Sequence, residues 1–312
     1  MTVRSCGSTR VAGVRAPSVA GDFYPAVPDR LASMVGELFA ETRWLPGDAV
    51  RPDPARPILG LLVPHAGLVY SGVIAAAGWS RLDARTTDAG RDAPAPIVVI
   101  LGTNHGAGWL QGVAASAAVT WRTPRGDVPV DADLRAAIIE LGSPFLIDEE
   151  AHAREHSIEV QLPLLQEVAP GALIVPLAVS AGIGHPAIDA GRRLGKLLAV
   201  RRAAGSPIVL AISSDMAHYP TDDACDEVTE ALLPPIRMLD PAGLAAREIA
   251  VRSARIPGLV CGMCGIQPAV LGLAALRAMG ATAGARIAAS TSADADGPRD
   301  RTVGYLAVAF VA

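Results

Sequence analysis

Residues 58–67 read Ile58-Leu59-Gly60-Leu61-Leu62-Val63-Pro64-His65-Ala66-Gly67. The six apolar or small residues at the start suit a strand covered on both faces, as in a parallel sheet between helices. The run then stops on proline and histidine, so polar chemistry sits at the carboxyl end of a buried strand. The same form recurs twice: residues 97–101 lead into Gly102-Thr103-Asn104-His105-Gly106, and residues 208–212 into Ser213-Ser214-Asp215-Met216-Ala217-His218.

Further strands are predicted over 173–179 and 303–311. Helices are predicted over 29–41, where Leu31, Met34, Val35 and Leu38 share one face, and over 70–82 and 132–141. They continue over 157–168, where Pro163 is expected to introduce a kink, then over 187–200, 225–250 and 265–279. Strands alternating with helices in this way predict an α/β fold. The expected architecture is a single domain over 1–312 with a central, largely parallel sheet flanked by helices. Two Pro- and Ala-rich stretches, 44–57 and 83–96, read as surface loops within it.

Composition excludes several function classes. Hydrophobic residues make up 51% of the 312 and charged residues 19%, which gives ample material for a core. The net charge of −4 and the 4% aromatic content predict no direct nucleic-acid binding, which calls for basic patches or stacking platforms. No apolar run reaches the ~18 residues needed to span a bilayer. The opening MTVRSCGSTR has no apolar stretch behind it, so a cytoplasmic protein is expected. Four cysteines, Cys6, Cys225, Cys261 and Cys264, are too few and too unevenly spaced for a disulfide scaffold.

In open α/β sheets, ligands bind outside the carboxyl ends of the strands. His65, His105, Asp215 and His218 therefore converge on one rim in this reading. Neutral imidazole is the commonest metal ligand in proteins. Two histidines need a third partner, and Asp215 and a cysteine are both candidates. Cys264 lies in Cys261-Gly262-Met263-Cys264-Gly265 before a predicted helix, a position that favours a thiolate. One Cys-x-x-Cys pair alone is half a structural zinc site. His152-Ala153-Arg154-Glu155-His156 matches the H-x-x-E-H pattern of inverted zinc proteases. Its surroundings read as a helix entry, and Glu155 and Glu159 as an ordinary solvated i,i+4 pair, so a peptidase is not expected. His185 reads as a loop residue.

Taken in order, the motifs resemble the MEMO family, also called AmmeMemoRadiSam system protein B. They are Ala20-Gly21-Asp22-Phe23-Tyr24-Pro25, Pro64-His65-Ala66-Gly67, Leu101-Gly102-Thr103-Asn104-His105 and Glu155-His156-Ser157-Ile158-Glu159-Val160-Gln161-Leu162-Pro163. Ser213-Ser214-Asp215, Cys264-Gly265 and Gly304-Tyr305 complete the set. The resemblance implies a fold similar to class III extradiol ring-cleaving dioxygenases, which hold non-haem Fe(II) on two histidines and a carboxylate. It implies His65, His105 and Cys264 as metal ligands and His218 with Asp215 as the acid/base pair. His156 and Glu155 would then line the pocket or sit just behind the ligands. A thiolate in place of the dioxygenases' Glu departs from their pattern; it would accept copper or zinc as well as iron.

Two function classes follow from the resemblance. One is a metal-dependent redox or oxygenase-like enzyme acting on a small molecule. The other is a non-catalytic module that binds metal, a peptide or a partner. The family's name also implies a radical-SAM protein among its partners.

Overall fold

In the computed structural model, residues 13–45, 57–82 and 95–312 are described. The N-terminal decapeptide with Cys6, and all but the ends of the two loops expected at 44–57 and 83–96, lie outside them. The chain begins with β1 (Val14–Arg15), α1 (Pro28–Glu41), β2 (Ile58–Val63), α2 (Leu68–Trp79) and β3 (Ile97–Thr103). Four short strands follow, interrupted by one helix: β4 (Gly112–Ala115), β5 (Thr120–Thr123), β6 (Gly126–Pro129), α3 (Ala132–Ile139) and β7 (Phe145–Ile147). Next come α4 (Leu162–Val168), β8 (Leu173–Ser180), α5 (His185–Ala203) and β9 (Ile208–Ser213). The last part holds α6 (Asp222–Arg237), α7 (Pro241–Ser253), α8 (Ile266–Ala278), β10 (Ala283–Thr291) and β11 (Gly304–Val311).

The main sheet has eight strands in the order β10-β11-β2-β9-β3-β8-β4-β7. Its four central strands, β2, β9, β3 and β8, run parallel. Antiparallel pairs flank them: β10 with β11, β11 with β2, and β4 with β8. The sheet is therefore mixed, with the expected parallel character in its middle and in the edge pair β4–β7. β10 and β11 are joined by residues 292–303, which open with a single tight turn at Ser292–Ala295 and return the chain beside β10 as an antiparallel neighbour. A second sheet, β1-β5-β6, is small.

Side chains alternate across the central strands, as a two-fold period requires. Val99, Leu101, Val175, Leu177, Leu210 and Ile212 join one core, together with Leu194 of α5 and Leu271 of α8. Val98, Ile100, Ile174 and Ala211 join the other, with Leu31 of α1, Ile74 of α2 and Leu165 of α4. Helices thus cover both faces, and the central strands read as continuous apolar runs for that reason.

Three expectations are corrected. The single helix over 225–250 is two helices. Leu239 takes a left-handed conformation, φ 51°, and the Asp240 carboxylate caps α7 by accepting from Gly243 N–H at 2.9 Å. Pro241 opens α7, where its missing N–H costs nothing. Pro163 likewise sits in the first turn of α4 and kinks nothing, because residues 159–161 form a separate tight turn before it. His185, expected in a loop, begins α5.

Candidate metal centre

The order β2-β9-β3 brings three carboxyl ends side by side. Val63 pairs with Ser213, and Leu101 pairs with Ile212. His65, Asp215 and His105 follow directly, so the neighbourhood is set by strand register. The His65 and His105 rings meet edge to face with centroids 5.2 Å apart. His156 arrives from the 155–161 segment and stacks on His105 at 4.4 Å, with Phe23 packed against it at 4.6 Å.

Cys264 comes from the opposite direction, on the loop before α8. Its Sγ lies 3.2 Å from His65 Nε2. Two groups of ligand atoms result, each with all members within 4.8 Å of one another: His65, His105 and His156, and His65, Asp215 and Cys264. His65 is the shared member. His105 and Cys264 fall in different groups, so the two flank His65. His218 and Cys261 belong to neither.

Hydrogen bonds dictate how these side chains are presented. Glu155 accepts from His105 N–H at 2.8 Å, from the His105 ring Nδ1 at 2.9 Å and from Ser157 N–H at 2.8 Å. Burial opposes ionisation of Glu155, yet the bonds from His105 and Ser157 hold its carboxyl at about 2. An ionised carboxylate only accepts, so His105 carries a proton on Nδ1, and in the neutral ring the lone pair is on Nε2. His218 donates from Nδ1 to the Met216 carbonyl at 2.8 Å, which leaves its Nε2 as the basic nitrogen. Burial first, and the neighbouring His105 next, push His65 down to about 3. Burial, then His65 and His105, push His156 down to about 4. Both rings are therefore neutral donors at neutral pH.

The Asp215 carboxylate accepts from the backbone N–H groups of His65 at 2.6 Å and Ala66 at 3.2 Å, clamping the loop after β2. No hydrogen bond joins it to His218. Burial pushes Asp215 up, with His218 and the two N–H groups opposing. Burial also raises the Cys264 thiol well above its usual value, and Asp215 and Cys261 add to the effect. Cys261 is raised to about 12, by burial and then by Glu248. Cys225, Cys261 and Cys264 are all free thiols.

The 155–161 segment does most of the positioning. Glu155, Ser157, Glu159 and Gln161 are all buried. The solvated Glu155–Glu159 pair expected from the sequence is corrected here. Glu159 is fully covered and bonds to Arg15, Ser18, Val19 and Tyr24. That network ties the N-terminal stretch beneath the site. The H-x-x-E-H histidines also separate: His156 faces the cluster, whereas His152 is buried against Trp121 and donates Nε2–H to the Ala114 carbonyl. Gly102 lets the segment approach β3, because a Cβ there would lie 2.4 Å from Ile158. Ser213, Ser157 and Gln161 stand inside the motifs, but sequence reading gave them no role. Uncharged residues carry little signal of function, and only their place beside the motif histidines could have raised them.

An α/β chain with imidazoles and a thiol gathered at the carboxyl ends of its central strands defines a class of candidate metal proteins. The chain belongs to the Memo-like protein family, whose model matches residues 15–309. A MEMO1 family protein of Methanopyrus kandleri is 34% identical over 305 residues, covering 95% of this chain and 98% of its own. A MEMO1 family protein of Aquifex aeolicus is 32% identical, covering 96% and 99%. A crystal structure of an uncharacterized protein from Escherichia coli K12 shares the fold with a TM-score of 0.52 at 18% identity, covering 81% of this chain and 99% of that one. Among the described residues, no helix is long and apolar enough to cross a membrane.

Proposed function

We propose that this protein holds a non-haem metal ion, iron before copper or zinc, on His65, His105 and Cys264, and uses it in redox chemistry on a small molecule. One observation carries this reading. Glu155 is a buried carboxylate held ionised by N–H dipoles and an imidazole, and no Arg or Lys among the described residues pairs with it. An uncompensated buried charge is expensive, and a cation beside His105 supplies what the side chains lack. The donor types suit such an ion, two imidazoles and a thiol that a metal would deprotonate; His65 is the member common to both groups, and His105 and Cys264 must draw closer together to share one ion with it.

Bound there, the ion supplies Lewis acidity and, as iron, one-electron chemistry. The chain's own groups do the rest. Glu155 holds the His105 ring in register. Asp215 fixes the backbone under His65. His218, with its proton on Nδ1, offers Nε2 to take and return a proton of the substrate. Its neighbour Tyr219 is held at a φ of 72°, with its N–H donating to Thr302 O at 2.7 Å, so the His218 loop is pinned.

Metal analysis of protein purified without tag or added metal tests the reading. The expected result is one ion per chain, lost in His65→Ala and Cys264→Ala. A metal-free protein whose variants match the parent in stability and metal uptake overturns it. Oxygen uptake with a panel of catechols then separates ring cleavage from other redox chemistry.

A further inference from the structure

Ser213 ends β9 and is fully buried. Its hydroxyl lies 2.6 Å from the Ser157 carbonyl, 3.0 Å from Gln161 Nε2 and 3.0 Å from His65 Nδ1. A hydroxyl has one proton to give and two lone pairs to receive. The Ser157 carbonyl can only accept, so the Ser213 proton points there.

The Gln161 amide has only one sensible orientation. Trp79 Nε1–H, a donor only, reaches Gln161 Oε1 at 2.8 Å. Gln161 Nε2 then donates to the Pro64 carbonyl at 2.8 Å and to Ser213. One Ser213 lone pair is thus occupied and its proton is committed. What remains for His65 Nδ1 is an acceptor, so that nitrogen carries the ring proton. Nε2, 3.2 Å from Cys264 Sγ, keeps its lone pair.

We propose that Ser213, oriented by the relay from Trp79 through Gln161, is a positioning residue that places the proton of His65 on Nδ1 and thereby frees Nε2 for an ion. This rests on His65 being a ligand. His105 reaches the same tautomer through a charged carboxylate, whereas the His65 relay is neutral throughout. The two imidazoles are therefore unequal: the carboxylate raises the donor strength of His105, and nothing comparable acts on His65.

Long-range proton–nitrogen NMR correlation of metal-free, 15N-histidine-labelled protein reads the tautomer directly. His65 is expected to show the Nδ1–H pattern. In Ser213→Ala its pattern is expected to shift toward Nε2–H, with Zn(II) affinity falling by about tenfold or more. Glu155→Gln is expected to leave the His65 pattern unchanged. An Nε2–H pattern in the unmodified protein overturns the proposal, and that measurement needs no variant to fold. An Nδ1–H pattern that persists in folded Ser213→Ala overturns it too. Should the unmodified protein show Nδ1–H yet bind no zinc, the relay stands and the ligand reading falls.

Discussion

Glu155 and Glu159 lie four residues apart on one buried segment and carry the same charge, yet their surroundings differ in kind. Glu159 has a full counter-charge, Arg15 Nη1 at 2.6 Å, and four further donors besides. Glu155 has backbone N–H groups and an imidazole. The first is a closed structural network. The second is electrically open on the side where His65, His105 and His156 gather. The proposed cation site rests on this contrast: a buried carboxylate beside three imidazoles and without a guanidinium.

The matched substitutions Glu159→Gln and Glu155→Gln break this comparison most directly. Glu159→Gln leaves Arg15 buried and unpaired, which costs about 3–5 kcal/mol. Urea unfolding should show that loss, and zinc affinity of the folded protein should stay at the parental value. Glu155→Gln puts an amide N–H₂ against donors on His105 and Ser157. Zinc affinity measured by chelator competition should drop about 10–100-fold, while stability falls by only about 1–2 kcal/mol. Equal effects of the two substitutions on both measurements would erase the distinction.

His152 sharpens the comparison from the structural side, since its carbonyl accepts from Arg15 Nε at 3.0 Å. Burial holds its ring at about 4, with the Ala114 hydrogen bond opposing. Between the unfolded pKa of about 6.5 and this value, the unfolded chain binds a proton that the folded chain refuses. Stability is therefore fully present above about pH 6.5 and declines as pH falls toward 4, by on the order of 3 kcal/mol from this group. Denaturation curves at several pH values should be flatter over that window for His152→Gln. An unchanged slope would remove His152 as a contributor.

The parallel centre was legible because buried strands read as unbroken apolar runs, and their abrupt polar ends marked the rim where His65 and His105 stand. The flanking strands were not. β10, Ala283–Thr291, is rich in Ala and small residues and only partly buried, so it has neither period nor apolar mass. The break between α6 and α7 was written in Asp240-Pro241, a cap followed by a helix-opening proline, but the apolar spacing on either side masked it. Of the site, His65, His105, Cys264, His218, Asp215, Glu155 and His156 could be named from the motifs. The pairing of Cys264 with His65, the stacking of His156 on His105 and the Ser213–Gln161 relay could not. Those depend on which atoms meet across segments distant in sequence.

X-ray absorption at the zinc edge of the zinc-loaded, unmodified protein tests the central claim most directly. The account expects imidazole nitrogens at about 2.0–2.1 Å and one sulfur at about 2.3 Å, with the sulfur shell gone in Cys264→Ser. An oxygen-only shell, or a spectrum indifferent to both His65 and Cys264, would contradict it.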